Sequence, residues 1–381
     1  MIDNTPKNDG LRKFDSKIRQ KFHALAEEKK TKQLAAKTFI LYPFELKENQ
    51  EKSFEEKEAD TLDLICNHLK RFKKAFVATS FGMDSIVLMH IVIRAAKMVD
   101  KPVPDMFLND TLNTFKEEKQ YWADMTEFLG IQKEFKMFKP PVDKKTGKQQ
   151  TVWTIAEKYG HLPSFRSMVG RGKSYQATHG DKILKHVKGG GQTPECCNIL
   201  KKASLKDFLK HMPEGDRYDL HFIGTRAQES RMRQMSVLQR CRTYLITSMF
   251  PHPIRAVTPL SYWKKEDIYE YYSRYNIPKN PAYKAHNLTR MGCSSCPAHK
   301  NWEVRLAVDP TNEGFGMLKM NLNILKKTDP ERLDGSLNVL ERVLNGKMKT
   351  EGALPENNKP KLLALLKEFR NVSNLDDFGS P

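Results

Sequence analysis

Four cysteines in two groups are the most chemically pointed residues of this 381-residue chain. Cys196-Cys197 is an adjacent pair. Cys293 and Cys296 form a Cys-x-x-Cys pair, flanked by Gly292 and Pro297 as a turn would be. Thiolates from two such groups suit a tetrahedral Zn2+, an iron–sulfur cluster or a reactive dithiol. Neighbouring side chains diverge, so Cys196-Cys197 fits a single zinc awkwardly. A cubane, with its irons at separate corners, accommodates the pair better. The plain alternative is four unrelated buried thiols, and the Gly and Pro around the second pair argue against it. Cys66, on a helical stretch, and the isolated Cys241 stand outside this set.

A second constellation is Ser80-Phe81-Gly82-Met83-Asp84-Ser85. It lies between a β-favouring run, residues 75–79, and a helical run, residues 85–97, whose Ile86, Leu88, Met89, Ile93 and Ala96 recur at helical spacing. Asp84 is placed to cap that helix, and Ser80 and Ser85 add hydroxyl donors. Strand, glycine turn and helix aim backbone N–H groups and a positive helix end at an anion. An ordinary βα turn with a capping aspartate is the competing reading. Two further groups follow strand-like runs. Asp110-Thr111 ends the run 105–109. Gly224-Thr225-Arg226 with Glu229-Ser230-Arg231-Met232-Arg233 follows the run 219–223. Guanidinium forks suit phosphate or sulfate, so Arg226, Arg231 and Arg233 read as an anion clamp, against a solvated charged helix start. Gly172-Lys173-Ser174 is not a Walker A loop, because Ser167 stands where its first glycine belongs and no strand-like run precedes it.

The elements that must position these residues alternate. Helical patterns over 61–74, 85–97 and 115–129 are interleaved with strands at 75–79, 105–109 and 133–138. A helix at 203–211, strands at 219–223 and 254–257, and a helix at 264–275 continue the rhythm. This predicts an α/β fold, a parallel sheet covered by helices, with ligands at the carboxyl ends of strands. Residues 1–57 read as a basic helical N-terminal extension, with a helical arm at 11–37. Residues 58–300 read as the main domain, carrying a basic, loop-rich insertion over 139–195. Residues 301–381 read as a helical C-terminal appendage with helices at 317–325, 330–344 and 361–369.

Charged residues at 29% against 39% hydrophobic exclude a disordered chain, and a net charge of +19 points to a polyanionic partner or anionic substrate. A lysine-rich solvated surface is the alternative. The start, Met1-Ile2-Asp3-Asn4, lacks an apolar signal core, and no run reaches membrane-span length. Together with six cysteines read as intracellular thiols, this predicts a cytoplasmic protein with no membrane partner.

In order along the chain these motifs resemble one family. Ser80–Ser85 is similar to the PP-loop of ATP pyrophosphatases, in the Ser-Phe-Gly form of the PAPS/APS (sulfonucleotide) reductases. Asp110-Thr111 with Phe115 and Glu117 is similar to that family's Asp-Thr-Gly…Phe-x-Glu element, with Leu112 in place of the glycine. Gly224-x-Arg226…Glu229-Ser230-x-x-Arg233, Pro259…Trp263…Asp267 and Asn280-Pro281-x-Tyr283…Gly292-Cys293-x-x-Cys296 complete the likeness, over about residues 60–300. The resemblance implies an adenine-nucleotide alpha-hydrolase-like fold, ATP and Mg2+ as ligands, and a 4Fe–4S cluster on Cys196, Cys197, Cys293 and Cys296. It also implies a nucleotide site of Ser80, Phe81, Gly82, Asp84, Ser85, Asp110, Gly224, Arg226, Glu229 and Arg231, with Asp84, Asp110, Arg226 and Arg233 in catalytic roles. The reductases attack sulfur with a cysteine in a C-terminal segment, and here no cysteine follows Cys296. The logic is therefore nearer the iron–sulfur ATP pyrophosphatase of DNA phosphorothioation. That branch implies a nucleic-acid partner, DNA before RNA, and a sulfur donor such as a cysteine desulfurase. A sulfonucleotide reductase and a non-catalytic nucleic-acid-binding relative are the rival readings.

Overall fold

We describe the protein from a computed structural model, for residues 41–159, 195–247, 250, 252–288, 290–297, 302–348 and 353–370. The helical arm expected at 11–37 and the glycine-rich stretches 170–174 and 189–191 lie outside these residues. Six strands form one sheet: β1 (Ala75–Thr79), β2 (Asp105–Asn109), β3 (Phe135–Phe138), β4 (Leu220–Phe222), β5 (Thr243–Ile246) and β6 (Ile254–Val257), in the order β3-β2-β1-β4-β6-β5. β1 pairs parallel with β4 (Ala75 opposite Leu220) and β4 parallel with β6 (Leu220 opposite Arg255). β5 runs antiparallel to β6 at the edge, Thr243 opposite Val257. The mostly parallel sheet with helices around it is the fold class expected from the alternating pattern. The edge strand β5 was not foreseen.

The chain divides into two compact units. The first comprises the described residues up to Phe107, Ile131–Lys136 and Leu209–Pro278. The second comprises Leu108–Gly130 and the described residues of Met137–Phe208 and Lys279–Pro381.

In the first unit the helix Phe54–Arg71 begins seven residues before the expected start at 61. Its first turn is closed by a capping box: Ser53 Oγ accepts from the Glu56 N–H at 3.2 Å, and Glu56 Oε2 accepts from the Ser53 N–H at 2.8 Å. A buried ion pair, Lys57 Nζ to Asp267 Oδ2 at 2.7 Å, ties this helix to the helix Lys265–Arg274. Trp263 is fully buried and its indole N–H donates to Thr61 Oγ1 at 2.9 Å. Trp263 and Asp267, both part of the family likeness, thus tie their segment to the helix Phe54–Arg71. The helix Met83–Met98 is buried on nearly all sides, Val87, Ile91, Val92 and Ala95 included. It is a core helix rather than the one-sided amphipathic helix that periodicity alone suggested. Leu41 and Leu46 pack with Val237, Leu238 and Tyr262 in a small apolar cluster of the same unit.

In the second unit the helices Trp302–Ala307, Asn312–Thr328, Pro330–Leu344 and Asn358–Arg370 bury one continuous apolar cluster. Leu306, Leu318, Leu322, Leu340 and Leu366 are among its fully buried members, and Val152, Ile155, Cys196 and Leu200 share it. The helices expected as an appendage thus form one core with the segment that carries the Cys196-Cys197 pair. No helix among the described residues is long and apolar enough to cross a membrane.

Candidate nucleotide loop and thiol centre

β1 ends at Thr79 and the chain turns through Ser80–Gly82 into the helix. Phe81 takes φ +50°, a left-handed value that costs a bulky residue energy. That conformation is held from both sides: Thr79 Oγ1 accepts the Phe81 N–H at 3.1 Å, and the ring is buried edge-on against Phe135, centroids 5.6 Å apart. Ser85 Oγ donates to the Gly82 carbonyl at 2.8 Å and lies 3.4 Å from the Ser80 N–H. The Ser85 hydroxyl thus closes the turn instead of standing open as a donor.

Asp84 does not cap the helix. The N-cap is Gly82, in extended conformation with no side-chain cap, and Asp84 sits in the first turn. Its carboxylate takes Arg226 side-on, Nε to Oδ1 at 2.7 Å and Nη2 to Oδ2 at 3.3 Å. A fork that matches a carboxylate outcompetes a local cap for the same oxygens. Gly224 brings its backbone to the same turn; a Cβ there would meet Asp84 O at 3.5 Å, an ordinary contact. Arg226 is buried, and Gln228 Oε1 accepts a further N–H from it at 3.3 Å. Glu229 Oε2 accepts from the Arg226 backbone N–H at 3.2 Å and pairs with Arg233. Arg231 is exposed at the start of the helix Arg231–Arg240, which Ser230 caps. Two of the expected arginines, Arg226 and Arg233, thus come with their own counter-ions, Asp84 and Glu229.

In the second unit the four cysteines come together. The Cys196 thiol is pushed well up, first by its hydrogen bond to Cys197 and then by burial, with Cys296 and Cys293 adding negative potential. Cys197, the acceptor of that bond, is drawn down to about 6, and Lys201 and Lys202 assist. The Lys201 ammonium is raised by all four sulfurs, Cys293 most of all, although the residue as a whole is exposed. The pair occupies the short helix Glu195–Asn198, followed by a π-helical stretch, Ile199–Ala203. Such wide turns recur at functional sites.

The Cys293–Pro297 turn is held from several directions. Asn113 O accepts the Ser294 N–H at 2.7 Å, and Asn113 Oδ1 accepts the Ser295 hydroxyl at 2.7 Å. Asn321 donates to Ser295 O at 3.2 Å, Arg332 to Pro297 O at 2.9 Å, and Arg305 to Ser294 O. The Cys293 thiol points at Thr111 Oγ1, 3.5 Å away.

Asp110 belongs to this unit and is buried. Its Oδ1 accepts from the Leu112 N–H at 2.8 Å. Leu112, standing where the family pattern has glycine, takes φ +56°, which explains why glycine suits that place. The buried Glu118 accepts the Phe115 N–H at 2.8 Å, and burial pushes its carboxyl up to about 7. Cys66 and Cys241 belong to the first unit. Cys66 is buried with Sγ 3.7 Å from Ala95 O. Cys241 packs against the Leu41 cluster at φ +54°, with Sγ 3.8 Å from Tyr262 Oη.

Sequence reasoning missed Lys201, Arg305, Asn113, Asn321 and Arg332. Lys201 carried a faint signal, four residues after Cys197 and so one helical turn away. The others approach the turn from remote positions that no local pattern marks.

No curated protein matches the chain significantly. Among solved structures, a phosphoadenylyl-sulfate (PAPS) reductase from Candida auris in a phosphate complex is 15% identical, covering 65% of this chain and 93% of its own, with a TM-score of 0.38. An FMN adenylyltransferase from Candida glabrata, with FMN and the ATP analogue AMPCPP, is 10% identical over 63% of this chain and 66% of its own, with a TM-score of 0.36. The U34-tRNA thiolase NcsA from Methanococcus maripaludis, with its 4Fe–4S cluster, is 13% identical over 85% and 90%, with a TM-score of 0.33. The family model of the phosphoadenosine phosphosulfate reductase domain matches residues 74–163 and 150–299, more than half of the chain, and the protein belongs to that family.

Proposed function

We propose that this protein is an ATP pyrophosphatase of the family, adenylating an oxygen so that sulfur can be transferred into nucleic acid, DNA before RNA. The observation that carries the reading is the allocation of the six thiols. Cys196, Cys197, Cys293 and Cys296 are gathered around Lys201, whereas Cys66 is buried beside Ala95 O and Cys241 packs, partly buried, against the Leu41 cluster. That leaves no ready thiol for the thiosulfonate step of a reductase, while the turn at Ser80–Ser85 is fully formed.

In this scheme the acceptor oxygen forms a bond to the α-phosphorus of ATP, and the bond from that phosphorus to the bridging oxygen breaks, releasing pyrophosphate. Backbone N–H groups of the Ser80–Ser85 turn and the helix start receive the leaving group. Arg226, held in orientation by Asp84, keeps N–H donors in excess of those that Asp84 and Gln228 use and turns them to the phosphate charge. Arg231 and Arg233 add to that potential. The four-thiol set, with Cys197 already disposed to ionise beside Lys201, fits a 4Fe–4S cluster, and these four residues would hold it. When bound, such a cluster supplies an iron centre able to handle sulfur. The +19 charge supports a nucleic-acid acceptor, and a sulfur donor of the cysteine desulfurase type would complete the reaction.

The test is product analysis on anaerobically purified full-length protein. With ATP, duplex DNA and a sulfur donor, pyrophosphate release is expected and Asp84→Ala abolishes it. With PAPS or APS and thioredoxin, no sulfite is expected. Sulfite formation that disappears in Cys241→Ser would replace this reading with a reductase.

A further inference from the structure

Apart from the four thiols, the second unit gathers another set of ligating side chains. One ligand atom each from Glu117, His286 and Glu313 lies within 4.8 Å of the other two. We propose that Glu117, His286 Nε2 and Glu313 bind a first-row divalent cation of the Mn2+ or Zn2+ type, with Asp309 orienting the imidazole from behind. This inference is independent of the nucleotide and cluster readings above.

The valence of the imidazole is the first argument. His286 Nδ1 lies 2.8 Å from Asp309 Oδ2, and Nε2 lies 3.0 Å from Glu117 Oε2. A neutral imidazole has a single N–H. If Nδ1 gives that proton to Asp309, Nε2 turns a lone pair toward carboxylate oxygens, an arrangement that a cation between them resolves. The alternative is an imidazolium donating to both sides, and the two differ in whether metal binds.

The second argument is how firmly the imidazole is held. His286 is fully buried, with the Phe115 ring centroid 4.1 Å from its own. Asp309 is also buried, and its Oδ1 accepts from the Thr311 N–H at 2.8 Å and the Thr311 hydroxyl at 2.6 Å. Gly314 is pressed against it: a Cβ there would stand 2.3 Å from Asp309 Cγ. A carboxylate fixing the far nitrogen of a histidine is the arrangement that sets tautomer and aim in metal sites. Glu313, on the first turn of the helix Asn312–Thr328, brings a third ligand on a flexible stem to a rigid backbone.

Charge is the third argument. Three carboxylates, Glu117, Asp309 and Glu313, surround one imidazole. Of the nearby cations, Lys116 reaches only 4.0 Å from Glu117 and is largely exposed, and Arg305 is engaged with the Ser294 carbonyl. One nitrogen and carboxylate oxygens suit Mn2+ or Zn2+ better than the all-oxygen shell Mg2+ prefers. Three protein ligands leave a position for water or a phosphate oxygen.

Mn2+ separates this site from the cysteines, since thiolates are poor ligands for it. We expect nucleotide-free full-length protein to bind Mn2+, read as loss of the free-ion paramagnetic resonance signal, and Zn2+ to displace it. Glu313→Gln, which keeps the His286–Asp309 pair and hence the fold, should weaken binding about tenfold or more, and His286→Gln at least as much. Cys293→Ser and Asp84→Asn should leave it unchanged. Mn2+ binding that is equal in wild type and Glu313→Gln, with both folded by circular dichroism, overturns the proposal and leaves the group a protonated histidine among carboxylates.

Discussion

The turn at Ser80–Ser85 is closed by its own neighbours: Thr79 Oγ1 takes the Phe81 N–H and Ser85 Oγ reaches back to Gly82. The turn at Cys293–Pro297 is closed by residues up to 182 positions away, Asn113 on one side and Arg305, Asn321 and Arg332 on the other. Each turn presents a short reactive stretch in a defined shape. In the first, most of the closure is local, made by side chains within five residues of their partners, with the Phe81 ring set against Phe135 and Asp84 against Arg226. In the second, Cys293 O takes the Cys296 N–H at 3.2 Å within the turn, but the Ser294, Ser295 and Pro297 carbonyls find their donors on Arg305, Asn321 and Arg332, so the shape is complete only after the C-terminal helices have packed. A turn of the first kind tolerates change elsewhere in the molecule, and one of the second kind is only as firm as the helices around it.

Three substitutions sharpen that contrast. The largest effect belongs to Asn321→Leu. Asn321 is fully buried, and the change leaves Ser295 O without its donor, at a cost of about 1–3 kcal/mol. Urea unfolding should show the loss, and the Cys293 and Cys296 thiols should alkylate faster in metal-free protein. A shift no greater than that of a surface substitution would mean that the turn holds itself. Ser85→Ala removes the local closure at 2.8 Å and should cost less, about 0.5–1.5 kcal/mol, with thiol reactivity unchanged. Smallest, and opposite in sign, is Leu112→Gly. Relief of the left-handed φ of +56° is partly offset by the greater freedom of glycine in the unfolded chain, for a gain under about 1 kcal/mol in melting or urea experiments. A loss there would show that the Leu112 side chain contributes more by packing than its backbone costs.

The same contrast explains what could be read in advance. β1, β2 and β6 stand where periodicity put them, and Pro330–Leu344 matches to the residue, because each is an apolar pattern bounded by turn residues. β5, four residues directly after a helix, offers neither length nor alternation to mark it, and it owes its place to pairing with β6. Asp84 was misread as a cap since aspartate caps well, and its partner Arg226 lies 142 residues on, beyond any local rule. The four thiols were legible as a set by their motif. Lys201 and the supports of the Cys293–Pro297 turn were not, and neither was the group of Glu117, His286 and Asp309, whose members are 169 and 23 residues apart.

The second unit is stitched from separated lengths of chain, Leu108–Gly130, Met137–Phe208 and Lys279 onward, and this has a consequence in time. On the ribosome, Cys197 emerges 96 residues before Cys293, a wait of about 5–20 s at ordinary elongation rates of roughly 5–20 residues per second. Throughout that interval the first two thiols have been made and their partners have not. Arg332 and Asn321, which steady the later turn, arrive later still. Assembly of the thiol centre is therefore a late event of synthesis, and the newborn Cys196-Cys197 pair passes through a window in which oxidants and stray metal ions compete with the protein's own remaining residues.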